Sequence, residues 1–400
     1  MMLITHTVLF GLIYLSYGQD NCVIPGPTEV TWEEQLVKDL KCGYRAMDPP
    51  SPRNSNPPEV NVKFRLKYFS FSTDEEVLKM HIWLFMSWTD DRLKWDPAKY
   101  GDLQEVVIFS AKIWTPGLSL LNTAVSEDFD RYFFVHCTLK KSGFVLCVRR
   151  LVYTSICTVK LNNFPYDAQE CNLEFGPWEP EKFNLNFSSK AITMLGADYG
   201  SSWFISDYRQ KAQPQSKKQL IMTFVLEREA LSLAAVIVYP SLIMSALTLA
   251  CLFLDVRHNV RLALICFSIF SHYYFLVELG EIIPKKNADP PKLLLYYRGS
   301  LAITMFLLLV TFILVVMSKK QNTPPSIVIS INGFVYSGYA RFLMFPRWDT
   351  ECLVITDENR HIEDWTKFVN SLNSACGIII VVAYICLYFS FMPQPLPINY

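Results

Sequence analysis

Polar and apolar positions divide the chain into two parts. Up to residue 228 the composition is mixed, and short segments alternate between apolar and polar residues, as half-buried strands do. This alternation predicts strands at residues 59–66, 78–86, 132–139 and 144–148, with a hairpin turn at 140–143. Many short strands in close succession favour a β-sandwich. Residues 32–40 predict one helix before the strands, because Thr31 and Glu34 form a capping box.

Four long apolar runs follow, at residues 231–254, 262–279, 301–317 and 372–392. A helix needs about 20 apolar residues to cross a bilayer, so these runs predict four membrane spans. The second run is the weakest, because it contains Ser268, His272 and Glu278. A polar stripe on a spanning helix usually faces a bundle interior or a water path. A re-entrant or interfacial segment is the alternative for this run.

The first 18 residues predict a secretory signal peptide, with a buried strand as the alternative. The expected fold class is therefore an extracellular β-sandwich domain followed by a four-helix transmembrane domain. Its parts are an extracellular domain at 19–228, three membrane helices within 229–317, a cytoplasmic loop with an amphipathic helix at 318–371, the fourth membrane helix at 372–392 and an extracellular tail at 393–400. Lys285 and Lys286 would then lie outside, although basic loops favour the cytoplasm.

Composition narrows the possible functions. The 400 residues are 51% hydrophobic and 18% charged, against about 25% charged in ordinary soluble domains. The 37 basic residues balance the 37 acidic ones, so no net positive field is available to bind a nucleic acid. The sequence shows no nucleophile–base pair, phosphate-binding loop or Cys-x-x-Cys motif. We therefore expect no enzyme activity, no catalytic residue, no metal site and no cofactor.

Six of the 11 cysteines lie in the predicted extracellular part, where disulfides form readily. They are Cys22, Cys42, Cys137, Cys147, Cys157 and Cys171. Six cysteines allow fifteen sets of pairings. Cys137 and Cys147 flank the hairpin turn and could join its two strands, whereas Cys22 and Cys42 flank the first helix. Asn186 begins an Asn-Phe-Ser sequon and is a candidate glycosylation site.

Thirteen residues separate Cys157 from Cys171, and they include the segment Phe164-Pro165-Tyr166-Asp167. This stretch resembles the signature loop of the Cys-loop receptors, which are pentameric ligand-gated ion channels. Four apolar runs follow, with Pro240 in the first. Within this family the chain is most similar to nicotinic acetylcholine receptor subunits. The stretches that support this similarity are residues 83–90, 95–97, 100–101, 112–116, 175–178 and 281–284.

The resemblance implies a Cys157–Cys171 disulfide and a pore that opens when a transmitter binds between subunits. The partners that it implies are other nicotinic-type subunits in a pentamer, a small cationic transmitter such as acetylcholine, and the lipid bilayer. The implied location is the cell membrane, at a postsynaptic site. Four residues would couple the extracellular domain to the membrane domain in such a receptor. They are Tyr166, Asp167, Arg228 and Pro284.

The resemblance also assigns two tryptophans to the agonist site, because aromatic ring faces attract a quaternary ammonium. Trp178 matches the principal face and Trp83 the complementary face, with core packing as the alternative for each. The principal face otherwise departs from the family pattern. Leu121 replaces a tyrosine, and residues 208–218 carry four basic residues and no adjacent cysteine pair. These departures indicate a non-α subunit that uses only its complementary face.

Six positions of the second run match the pore lining of the family, namely Ala263, Phe267, Phe270, Tyr274, Glu278 and Glu281. Rings of phenylalanine would crowd and dewet the lumen, so a homopentamer should not conduct. The two glutamates would form a negative outer ring that favours cations, with helix-end solvation as the alternative. The expected function is therefore a channel-forming subunit of a heteropentamer. The alternative is a non-conducting assembly or modulatory subunit.

Overall fold

The computed structural model describes residues 31–50, 57–125, 135–177, 183–194, 202–212, 219–283, 289–337, 344 and 360–395. Several predicted features lie outside these ranges: the signal peptide, Cys22, Trp178, Pro284 and the last five residues of the tail. The domain boundaries given above remain predictions.

The described chain begins with helix α1 (Trp32–Lys41), where the capping box predicts it. Thr31 Oγ1 accepts a hydrogen bond from the Glu34 backbone N–H at 3.3 Å. Glutamates in the first turn and lysines in the last turn complement the helix dipole. Leu36 is fully buried and joins the helix to the core of the extracellular domain.

Ten strands follow in the described part of the chain. Their bounds are β1 (Glu59–Ser72), β2 (Val77–Thr89), β3 (Glu105–Phe109), β4 (Leu118–Leu120), β5 (His136–Lys140), β6 (Phe144–Ile156), β7 (Ala168–Pro177), β8 (Asn184–Met194), β9 (Trp203–Ala212) and β10 (Leu220–Arg228). One sheet has the order β3-β5-β6-β2-β1-β8 and the other the order β4-β7-β10-β9. Neighbouring strands pair antiparallel, except that β1 and β8 run parallel.

The two sheets enclose an apolar core, because alternate residues of each strand point inward. In β2 the inward residues from Met80 to Met86 are at most 1% exposed, whereas the residues between them are partly exposed. Phe64 of the larger sheet packs against Phe175 of the smaller sheet, with ring centroids 4.7 Å apart. The β-sandwich that the alternation predicts is therefore confirmed.

Two disulfides of this domain have both cysteines among the described residues. Cys137 and Cys147 face each other across the β5–β6 hairpin, with Cα atoms 4.3 Å apart. The bond between Cys157 and Cys171 closes the loop before β7, with Cα atoms 5.1 Å apart. Both expected pairings are confirmed. Cys42 is also disulfide-bonded, but its pairing with Cys22 stays a prediction because Cys22 lies outside the described residues.

Four helices of the described chain are long and apolar enough to cross a bilayer. They are α2 (Leu231–Ala250), α3 (Asn259–Ile282), α4 (Lys292–Ser318) and, after the shorter helix α5 (Ser326–Ser337), α6 (Arg360–Phe391). Helix α3 is continuous over 24 residues, so the structure does not support the re-entrant alternative for the second run. The amphipathic helix expected before the last span and the span itself form one helix of 32 residues.

Candidate functional site

Trp83 lies on the outward side of the larger sheet. Its neighbours Ile82 and Leu84 are buried inward, whereas Trp83 itself is half-buried. Strand register places it between Arg65 of β1 and Arg150 of β6. Trp83 is therefore not part of the apolar core between the sheets, which was the alternative to a surface role.

Two cations of the same chain lie against the Trp83 ring. Lys67 Nζ is 4.6 Å and the Arg150 guanidinium carbon 4.9 Å from the ring centroid. Phe85 lies two residues further along β2, and the Arg65 guanidinium carbon is 5.3 Å from its ring centroid. Sequence reasoning missed these partners. The signal that could have found them is the run of basic residues at alternate positions 63, 65 and 67 of β1.

Two positions that the family pattern assigns to the principal face belong to the smaller sheet: Leu121 follows β4 at one edge, and Tyr208 lies on β9 at the other. Leu121 is 45% exposed, in the place where the family pattern has a tyrosine. Tyr208 of β9 stacks on Phe224 of β10 with ring centroids 6.5 Å apart. Arg209 beside it donates to Asp207 at 3.1 Å. Trp178 lies outside the described residues, so its role stays a prediction.

An ion pair joins the signature loop to the last strand before the membrane. Arg228 Nε donates to Asp167 Oδ1 at 2.7 Å, and a second guanidinium nitrogen donates to Oδ2 at 3.1 Å. The two side chains are 12% and 2% exposed. Gln169 also donates to Asp167, at 2.7 Å, and the guanidinium lies 4.2 Å from the Trp203 ring centroid. The structure thus brings together two of the four expected coupling residues.

The signature loop also contacts the membrane helices. The Lys292 N–H at the start of α4 donates to the Asn162 carbonyl oxygen at 3.1 Å. Asn163 Nδ2 donates to the Gln394 carbonyl oxygen at 2.7 Å, just beyond the end of α6. Burial raises the pKa of the Tyr166 phenol in the same loop, so this side chain stays neutral at physiological pH. The loop therefore contacts the start of the third span and the end of the fourth.

The six candidate pore residues lie on one exposed side of α3. Phe267, Phe270 and Tyr274 are 59%, 71% and 57% exposed, and Ala263, Glu278 and Glu281 are exposed as well. The opposite side is buried against the other helices. Arg261, at the start of this helix, is fully buried and donates to Asn373 Oδ1 of α6 at 2.9 Å. Its charge therefore points into the bundle and not along the exposed stripe.

A buried polar network holds the other side of α3. His272 Nε2 lies 2.7 Å from Ser300 Oγ of α4, which lies 3.0 Å from Tyr384 Oη of α6. Ser245 Oγ of α2 lies 2.8 Å from Tyr296 Oη of α4. The polar residues that make the second run a weak span by sequence thus serve to pack it. They fix which side of α3 faces the bundle and which side remains exposed.

Comparison with known proteins agrees with this architecture. Residues 33–230 match the family model of the neurotransmitter-gated ion-channel ligand binding domain. The chain is 27% identical over 271 residues to the nematode Caenorhabditis elegans acetylcholine receptor subunit beta-type unc-29, covering 66% of this chain and 54% of that subunit. It is 26% identical over 308 residues to the human neuronal acetylcholine receptor subunit beta-4, covering 75% and 60%. The chicken acetylcholine receptor gamma subunit is 24% identical over 307 residues, covering 72% and 60%.

The chain belongs to the Cys-loop family of neurotransmitter-gated ion channels, and residues 33–230 are its ligand-binding-type domain. The family comprises ligand-gated channels and not enzymes. With its four apolar helices, the chain is a multi-pass membrane protein. It spans between half and three-fifths of the length of the curated relatives described above.

Proposed function

We propose that this chain is a non-α subunit of an acetylcholine-type cation channel and works in a heteropentamer at the postsynaptic cell membrane. The observation that carries the proposal is the exposed stripe of α3. Its outer end bears Glu278 and Glu281, and carboxylates are costly against lipid. The stripe therefore suits a water-filled lumen at the centre of a ring of subunits.

The charge of the stripe supports cation conduction. Rings of carboxylates favour cations in a pore. Glu278 and Glu281 are one turn apart on α3 and both are exposed. Arg261 does not oppose them, because its guanidinium is buried among the helices. A receptor that contains this chain should therefore prefer cations at its outer mouth.

The large side chains on the exposed stripe of α3 favour a pentamer that contains other subunits as well. Phe267 and Phe270 project large apolar side chains from the exposed side of α3. Five copies would narrow and dewet the lumen, whereas one or two copies leave most of its wall to other subunits. The principal face lacks the expected aromatic residues at Leu121 and in the basic segment 208–218. The agonist would then bind chiefly through a partner subunit.

The pore assignment is tested by cysteine accessibility. Phe270→Cys is made in a Cys266→Ser background, because Cys266 is an exposed free thiol on the same helix. The chain is co-expressed with an α-type acetylcholine receptor subunit, and a cationic methanethiosulfonate reagent is applied during agonist-evoked current. Modification at position 270 should reduce the current irreversibly. The matched control is Phe312→Cys on α4, which is 53% exposed on a helix assigned no pore residue, and it should leave conductance unchanged.

The second candidate is a non-conducting assembly or modulatory subunit, and the bulky stripe is the observation that favours it. In that case the chain would co-purify with the α-type subunit, but Phe270→Cys would leave current unaffected by the reagent. Acetylcholine current from this chain alone would contradict both candidates. Failure to co-purify with any nicotinic-type subunit would contradict the heteropentamer.

A further inference from the structure

The outward side of the larger sheet carries a cluster of cations that its own chain does not neutralise. The cluster consists of Arg65, Lys67 and Arg150 around Trp83 and Phe85, and we refer to it as the Trp83 face. The three basic side chains come from strands that lie side by side in the order β6-β2-β1. Each is at least half-exposed, so the charge is presented to the surroundings of the sheet.

Ion pairs elsewhere in the domain show what this face lacks. Lys79 on the same β2 strand lies 3.3 Å from Glu75. Among the described residues, no carboxylate lies within 4 Å of the three cations of the Trp83 face. The cations instead lie against aromatic rings, which attract positive charge but do not cancel it. Three like charges on neighbouring strands repel one another, so an arriving anion would be stabilised there.

A cationic ligand is a poor match for this face. The π electrons of Trp83 already interact with Lys67 and Arg150, both within 5 Å of the ring centroid. An ammonium group that approached the same ring would meet two like charges at close range. The chemistry that fits is a carboxylate, which accepts hydrogen bonds from guanidinium and ammonium groups.

A second copy of this chain would not supply the carboxylate. The segment that faces a neighbour's complementary side in this family ends in the β9–β10 connection, and here it carries Arg209, Lys211, Lys217 and Lys218. Residues 210–219 contain no aspartate or glutamate. Two copies placed side by side would therefore bring positive charge against positive charge.

From this charge pattern we infer that the Trp83 face docks carboxylate side chains on the β9–β10 connection of a different subunit, and that this contact selects the neighbour in the ring. The inference rests on the proposed heteropentamer and adds the chemistry of its partner. The Trp83 face is then an assembly surface, and the agonist ammonium binds elsewhere.

Charge reversal in two tagged copies of the full-length chain tests the inference. One variant makes the face acidic, Lys67→Glu with Arg150→Glu, and the other makes the loop acidic, Lys211→Glu with Lys217→Glu. Wild-type copies should co-purify only at background after detergent solubilisation. Either variant paired with a wild-type copy should raise co-purification at least fivefold, because opposite charges then meet. Combining both changes in both copies should return it to background.

The matched control is Lys140→Glu with Lys160→Glu, which reverses two exposed lysines away from the Trp83 face and should give no increase. An equal increase in the control, or an increase that survives the combined variant, would overturn the inference. Co-purification of wild-type copies at the level of the charge-swapped pairs would overturn it as well. The proposed function fails separately, namely when the wild-type chain does not co-purify with an α-type subunit.

Discussion

Replacing Asp167 with alanine should destabilise the extracellular domain strongly. The carboxylate is 2% exposed and holds the Arg228 guanidinium at 2.7 and 3.1 Å. Removing one partner of a buried pair leaves the other charge uncompensated, which costs about 3–5 kcal/mol. Arg228 keeps its contact with the Trp203 ring at 4.2 Å, so the lower end of this range is the better expectation. Each kcal/mol lowers Tm by about 2–4 °C in a domain of this size, which gives a decrease of about 6 °C or more.

The assay is fluorescence-detected size-exclusion chromatography of the tagged, detergent-solubilised chain. Samples are heated first, and Tm is the temperature at which half of the monodisperse peak is lost. Glu170→Ala is the matched control, because Glu170 lies 3.9 Å from Arg209 with both side chains about three-fifths exposed. Such a surface pair contributes only about 0–1 kcal/mol. A double variant, Asp167→Leu with Arg228→Leu, should recover most of the lost stability, since no buried charge then remains unpaired.

The Tm values of Asp167→Ala, Glu170→Ala and the double variant together test whether Asp167 and Arg228 form a buried electrostatic contact. If Asp167→Ala and Glu170→Ala lower Tm by the same small amount, the pair is not a buried electrostatic contact and the reasoning is refuted. The same conclusion follows if the double variant is no more stable than Asp167→Ala.

Two further predictions concern covalent and membrane packing. Cys157→Ser should abolish surface expression, measured by surface biotinylation, because the bond closes a loop with thirteen residues between its cysteines and contributes about 3 kcal/mol. Cys266→Ser removes an exposed free thiol and should leave surface expression unchanged, and normal surface levels of Cys157→Ser would contradict the prediction. His272→Leu should lower the stability of the solubilised chain by about 1–2 kcal/mol through loss of the 2.7 Å contact with Ser300. Ser271→Ala should have little effect, because the Ser271 hydroxyl donates to the Phe267 carbonyl of its own helix, and equal losses in the two variants would count against an interhelical role.

Local sequence patterns determined the elements of this protein. Apolar runs long enough to cross a bilayer as helices predicted the four spans. Inside the hydrocarbon core the backbone N–H and C=O groups have no water to bond, so such a run forms a helix. Period-two alternation predicted the strands, because a strand buried on one face must place every second residue inward. The spacing of Cys157 and Cys171 indicated the family and with it the disulfide that the structure contains.

The sequence alone was less informative about the weakest span. Ser268 and His272 reduce the apolar character of the second run, and only the bundle shows that these groups bond inward to Thr248 and Ser300. Their burial also fixes which side of α3 carries Phe267 and Phe270 outward. Helical periodicity gives the relative angles of these residues, but contacts with the other helices decide which direction faces the bundle.

Strand order and register decided what surrounds Trp83. The tryptophan was recognisable in the sequence, but its cationic neighbours were not, because Lys67 and Arg150 lie 16 and 67 positions away along the chain. Pairing of β2 with both β1 and β6 brings the basic side chains against one ring. Local propensity cannot encode such an arrangement, since it depends on which distant strands become neighbours and in which register. The sequence by itself thus determined the elements and the family, whereas the tertiary structure decided which distant cations surround Trp83, because strand pairing and not local propensity brings them together.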